Sequence, residues 1–444
     1  MVRESMNRPG QELPSIIVQP PGPKSRDLAC RLAATESPAV DLRRRARAPF
    51  GADGTGPIVY ASGNGANVVD ADGNRYVDLA AGFGALLLGH APKRIRDAID
   101  VQSDKLWLAL GDLYASERKV DVCERLAALY PAPRARVLLG ATGADAVTAA
   151  LKSAVLATGR SEIVACVGGY HGLSHGPLAA CGFNPKFRLP FSGQLGVRVH
   201  FVPYPQCEAD LGPSLSAVDG AFRVGSVGAV LVEPILGRGG CVVPPSAWLP
   251  GLRAACDRAH VMLICDEVWT GLGRSGSVLA SLEAGVVPDL ICLGKGLGAG
   301  LPISACVGSA EAMSGWAAHG GTTIHTATHF GAPLACAAAC ALLDAIDKES
   351  LADRSRDVGA RWRKTLRGRT AGKGVSDVRG RGLMVGVALE GGAERAQGVL
   401  YRLLGRGWIV VTGGIDGDVL TLTPPLDIDE GLLAAFAEEL CAVL

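Results

Sequence analysis

Seven short apolar runs, each closed by glycine, proline or a charged residue and separated from the next by helical segments, constrain this chain most. They are R-V-L-L-G (136–140), E-I-V-A-C-V-G (162–168), V-R-V-H-F-V-P (197–203), G-A-V-L-V-E-P (228–234), V-M-L-I-C-D-E (261–267), D-L-I-C-L-G-K (289–295) and I-S-A-C-V-G (303–308). Continuously apolar strands are those buried on both faces. Strands alternating with helices build a mainly parallel sheet sandwiched by helices, an α/β architecture. Ligands of such sheets collect beyond the carboxyl ends of the strands. Glu233, Asp266 and Lys295 stand at three such ends.

With 444 residues the chain exceeds one ordinary domain, so a large domain with a smaller α+β companion is expected. Residues 1–40 hold Pro9, Pro14, Pro20, Pro21, Pro23 and Pro38 without lasting periodicity and read as an extended or mobile arm. V-V-D-A-D-G-N-R-Y-V-D-L (68–79) reads as a hairpin around an Asp-Gly turn. Lacking a large sheet of its own, that hairpin assigns 41–95 to the small domain. The span 96–332 is then the large domain and 333–444 the rest of the small one. In this last part a helix over 333–346, strands at 382–389 and 419–423, and a closing helix from about Asp429 are expected.

Charge excludes several classes of partner. Lys and Arg number 44 against 43 Asp and Glu, so no nucleic-acid footprint or anionic membrane surface is indicated. The short basic run Arg43-Arg44-Arg45-Ala46-Arg47 reads as solvated surface. The 13 cysteines lie mostly in apolar stretches without any C-x-x-C, which suits reduced thiols and a cytoplasmic protein. No apolar run approaches 18 residues and no leader pattern opens the chain.

Three segments carry chemistry. A-T-G-A-D-A-V (141–147) follows a strand and opens a helix, so Thr142, Gly143 and Ala144 form either a phosphate site or a plain N-cap. Asp266 ends a very apolar strand and needs a cationic partner, a protonated ring nitrogen or an Arg or Lys. Lys295, in G-K-G-L-G-A-G-L-P (294–302), is a poorly solvated amine suited to nucleophilic work, or else a turn lysine. Gly296 rules out a P-loop there, where Ser or Thr is required. The pairs His171/His175 and His325/His329 have a metal-like spacing but signal no third ligand, so no metal is assigned.

These motifs, together with C-D-E-V-W-T-G-L-G-R-S-G, H-T-A-T-H-F-G-A-P-L-A, V-R-G-R-G-L and L-T-P-P-L, resemble the class III (ornithine/4-aminobutyrate type) branch of the fold-type I PLP enzymes, from about Pro57 onward. The resemblance implies a PLP-transferase fold, pyridoxal 5'-phosphate as cofactor, and a homodimer with shared active sites. It makes Lys295 the Schiff-base lysine and Asp266 the partner of the pyridine nitrogen. Thr142, Gly143 and Ala144 would take the phosphate, joined by Thr328 from the neighbouring subunit. Tyr170 would stack on one ring face with His171 beside it, Val268 would pack on the other, and Glu233 would face the substrate side. Phe83 matches a position lining the substrate entrance.

The substrate half departs from the family pattern. Trp269 stands where Gln is frequent, Leu173 follows Y-H-G where amino-acid-specific members carry Arg, and Thr421 replaces the Arg that anchors a carboxylate. Val411 lies near the place of a mobile Arg, and Arg238 replaces an acidic residue. Either Arg238 takes over the carboxylate of the substrate or acceptor, or it is a surface residue and the substrate has no free carboxylate. The expected activity is an aminotransferase with ping-pong kinetics, taking an amine or amino acid and a carbonyl acceptor. A racemase or epimerase of the same family is the alternative, although Arg238 stands where such members place an acid/base Asp. A non-catalytic protein on the same fold is the third reading, opposed by the retention of both Asp266 and Lys295.

Overall fold

The computed structural model describes residues 9–45 and 57–444. Segments 1–8 of the expected arm and 46–56, with Ala46 and Arg47 of the basic run, lie outside the described residues.

The first small sheet contains β1 (Tyr60–Asn64), β2 (Asn67–Asp70) and β3 (Arg75–Asp78). β2 and β3 pair antiparallel, as the Asp-Gly turn predicts. The large sheet holds β4 (Arg136–Gly140), β5 (Glu162–Cys166), β6 (Val199–Val202), β7 (Val227–Val232), β8 (Met262–Asp266), β9 (Leu290–Leu293) and β10 (Ser304–Gly308). Its order is β4-β10-β9-β8-β7-β5-β6. Only β10 runs against its neighbours, β4 and β9. Every residue of β7, β9 and β10 is buried, which is why those runs read as unbroken apolar sequence.

The C-terminal part adds β11 (Val375–Arg381), β12 (Met384–Leu389), β13 (Trp408–Ile409), β14 (Val411–Gly413) and β15 (Val419–Leu422). Strands β11, β12, β15 and β14 form an antiparallel sheet. β13 instead pairs parallel to β3, so the early hairpin and the C-terminal segment share a sheet. The helices Pro333–Lys348 and Glu430–Val443 match expectation, the latter with Asp429 as its N-cap. Two helices beyond the sequence reading, Leu351–Thr370 and Gly392–Gly405, also occur.

The N-terminal segment, read as an extended or mobile arm, runs along the first small sheet before turning helical. Ser15 exchanges two backbone hydrogen bonds with Arg75 of β3. Asn67 exchanges hydrogen bonds with the Glu12 backbone, and Asn74 Oδ1 accepts from the Ile17 and Val18 amides. A helix follows over Pro23–Ala33, started by a proline whose missing N–H costs nothing there. Arg43, Arg44 and Arg45 close a second helix, Pro38–Arg45; Arg44 pairs with Glu36 and Arg45 with Asp41.

Candidate active site

Because β7, β8 and β9 are adjacent and parallel, their carboxyl ends lie side by side. Glu233 follows the last residue of β7, Asp266 ends β8, and Lys295 stands two residues past β9. Lys295 opens a tight turn with φ +37°, in the left-handed region. Burial holds its amine below the ordinary lysine range. Asp266 and Glu233 pull the other way, and Arg238 adds repulsion.

Asp266 is buried, and its two oxygens are assigned separately. Oδ1 accepts from the Val268 amide at 3.1 Å, and Oδ2 lies 2.8 Å from His171 Nδ1. A carboxylate oxygen can only accept, so Nδ1 carries the hydrogen of this contact. His171 is equally buried, and its Nε2 has no partner among the described residues. Sequence reasoning set His171 beside Tyr170 and missed its bond to Asp266.

Glu233 accepts from the Tyr170 amide through Oε2 and the Gly237 amide through Oε1. Burial raises its pKa to about 7, with His171 opposing and Asp266 reinforcing the rise. Burial thus favours the protonated form of Glu233 more than an exposed glutamate would allow.

The helix Gly143–Thr158 begins directly behind these strand ends. Thr142 and Asp145 form a reciprocal capping box: Thr142 Oγ1 accepts from the Asp145 amide, and Asp145 Oδ2 accepts from the Thr142 amide. The N-cap reading of Thr142 is thus seen in the capping box, which leaves the following N–H groups of the helix start uncapped. Gly143 and Ala144 are the first two helical residues, so no intrahelical carbonyl reaches their N–H groups. A Cβ on Gly143 would stand 2.8 Å from Val268 Cγ1, and one on Gly294 would stand 3.2 Å from the Gly143 Cα. The helix start, Val268 and the residue preceding Lys295 are thus in mutual contact.

On the substrate side, Arg238 is half-buried within a set of aromatic rings. Its guanidinium carbon lies 4.7 Å from the Tyr170 ring centre, 4.9 Å from Phe183 and 5.6 Å from Phe187. The Arg238 carbonyl accepts from the Gly414 amide, next to Gly413, where a Cβ would meet Thr421 Oγ1 at 2.5 Å. Thr421 is buried on β15 opposite Val411, and its hydroxyl has no partner among the described residues. Arg238 and Thr421 are therefore brought together through the 413–414 turn.

Trp269 faces Lys295, whose Nζ lies 4.5 Å from the indole centre. Phe83, at φ +59°, projects from a turn that Asp78 holds through the Ala80 and Ala81 amides; the turn's Gly84 abuts Trp269. Phe83 is 54% exposed and Leu173 48% exposed. Thr328 is exposed as well, in the turn where the Phe330 amide bonds the Ala327 carbonyl. These three are not enclosed within the single chain. Of the histidine pairs, His325 packs against Trp316 and Phe330, and His175 against Phe191.

A family model described as aminotransferase class-III matches residues 50–444. The chain is 37% identical over 400 residues to the acetylornithine aminotransferase of Corynebacterium efficiens, covering 88% of this chain and 93% of that protein. Among solved structures, it is similar to an amine transaminase from an uncultivated Pseudomonas species in its PLP-bound form. That match has a TM-score of 0.80 and 31% identity, covering 88% of this chain and 96% of the other. An ornithine aminotransferase from Toxoplasma gondii superposes with a TM-score of 0.78 and 32% identity, over 86% and 88% of the two chains.

Proposed function

The chain belongs to the class III aminotransferase family, and on that premise we propose that it moves an amino group between an amine or amino acid and a keto acid or aldehyde, using pyridoxal phosphate. The observation that carries this reading is the convergence of the depressed Lys295 amine, the Asp266–His171 pair and the start of the Gly143–Thr158 helix on neighbouring strand ends. Those residues fit the cofactor: an amine for its aldehyde, a buried carboxylate for its ring nitrogen, and two free N–H groups for its phosphate. When bound, pyridoxal phosphate supplies a ring that accepts the electron pair left when the substrate carbon loses a proton.

The protein's part is positioning and proton transfer. Lys295 Nζ, an amine whose burial disfavours its charged form, would be the group that takes the proton from the substrate carbon and gives it back. The bond from His171 fixes the Asp266 carboxylate and leaves Oδ1 to the Val268 amide. Tyr170 and Val268 would hold the cofactor ring between them. Arg238, set among aromatic rings and hydrogen-bonded to the Tyr170 side chain, would offer its remaining N–H groups to the carboxylate of an amino or keto acid. An arginine cannot serve as the second acid/base of a racemase, so that alternative is not favoured.

The same reading makes the protein a homodimer in the cytoplasm. Trp107 and Leu113 are 67% and 77% exposed within an apolar stretch that also holds Leu106, Leu108, Leu110 and Tyr114, a surface suited to a partner subunit. Thr328 would then complete the neighbouring phosphate site. The cysteines of the described chain are all free thiols, most of them buried, which suits a reducing compartment. No described helix is long and apolar enough to cross a membrane.

The test is a single-turnover reaction of cofactor-loaded enzyme with donor alone. An aminotransferase releases one equivalent of carbonyl product per site and stops until an acceptor is added. Inversion of the donor's configuration without net product would establish the racemase instead.

A further inference from the structure

Trp269 has a role that the cofactor half of the site leaves unused. Trp248, Trp316 and Trp362 each donate their indole N–H to a nearby oxygen, whereas Nε1 of Trp269 is buried without a partner among the described residues. Its ring packs against the Ile235, Cys241 and Met384 cluster on one side and stands 4.5 Å from Lys295 Nζ. Two glycines make room for it. An added Cβ would come within 2.3 Å of Nε1 at Gly84 and within 2.4 Å of Cε3 at Gly237. Gly84 belongs to the turn carrying Phe83, and Gly237 directly precedes Arg238. The indole therefore spans the gap between the entrance turn and the Arg238 loop, beside the reacting amine.

We propose that Trp269 is a specificity-determining wall that limits the length of the substrate chain. With a carboxylate at Arg238 and the reacting carbon at Lys295, the indole occupies the volume into which a long alkyl or aryl substituent would extend. The substrates it admits are short, unbranched amino and keto monocarboxylates. The packing favours this over a purely structural tryptophan, because two glycines open the space that places the indole beside the reacting amine and between the Phe83 turn and the Arg238 loop. The inference rests on the aminotransferase reading and on Arg238 as the carboxylate anchor.

Calorimetric titration of the cofactor-loaded enzyme with straight-chain carboxylic acids from propanoate to octanoate tests it without turnover. Native protein should bind the short acids in preference, and W269A should shift the octanoate-to-propanoate affinity ratio toward octanoate by roughly 10-fold or more. W269F, which keeps a smaller plate, should fall between them and carries the test where W269A fails to fold. A merely structural residue would weaken all acids alike. An unchanged ratio in both variants would overturn the wall. If no donor yields product while the length preference of binding persists, the aminotransferase reading fails and the wall stands. Turnover of many donors with native length preference in W269A sinks the wall alone.

Discussion

His171 Nδ1 lies 2.8 Å from Asp266 Oδ2, and both side chains are buried. The contact ties the segment after β5 to the end of β8 and orients the carboxylate assigned to the cofactor ring. Replacing His171 with Phe keeps a planar ring and removes the bond. A hydrogen bond involving a charged group contributes about 1.5–3 kcal/mol, so a 10- to 100-fold loss in kcat/KM or in cofactor affinity is expected. Equilibrium dialysis of the cofactor alongside steady-state kinetics checks both, and native values in both would refute the assignment.

Glu233 gives the site a pH signature. Burial lifts its pKa from the ordinary 4.5 to about 7 in the folded protein. Between those values the folded state binds more protons than the unfolded one, so this group's contribution is fully present below 4.5 and lost as pH rises through 7. Glu233→Gln removes the titration. It also alters bonding to the Tyr170 and Gly237 amides and removes a negative charge that supports the Lys295 ammonium. The stability of the variant relative to native protein should therefore rise across pH 5 to 8, by on the order of 3 kcal/mol at most. Denaturant midpoints at several pH values measure the difference, and a flat one would count against a proton on Glu233.

Arg238→Ala separates carboxylate recognition from the chemistry. Loss of a guanidinium–carboxylate contact should raise KM for keto acids about 10- to 100-fold. Simple aldehydes and amines, which offer nothing to Arg238, should keep their native constants. Equal damage to both substrate groups would mean that Arg238 acts through Tyr170, which its guanidinium carbon overlies at 4.7 Å.

The large sheet was legible because its strands are buried on both faces and therefore unbroken in sequence; the carboxyl ends of β7, β8 and β9 carried Glu233, Asp266 and Lys295 with them. The helix Leu351–Thr370 escaped notice because its buried face mixes Leu351, Val358, Trp362 and Leu366 with Ser355 and Thr370, which blurs the apolar periodicity. The docking of the N-terminal segment depends on Asn67 and Asn74, polar side chains whose burial no local pattern announces. At the site, Phe183 and Phe187 are some 50 residues from Arg238 and meet it only through the fold. The Gly84–Trp269–Gly237 fit is likewise tertiary, since a glycine's neighbour across space leaves no mark in its own flanks.

Gly143 allows a test of the phosphate site that leaves every ionisable group in place. A methyl group there would lie 2.8 Å from Val268 Cγ1, closer than carbon atoms tolerate, so the helix start or Val268 must shift. Alanine is otherwise favourable at a helical position, and the backbone needs no positive φ there, so the cost to global stability should stay within about 1–3 kcal/mol. The cofactor should suffer more, because two N–H groups and one ring face move together. Gly143→Ala is expected to weaken pyridoxal phosphate binding by about 10-fold or more, while pyridoxal lacking the phosphate loses much less. Retention of the native preference for the phosphorylated form would show that the anion is held elsewhere.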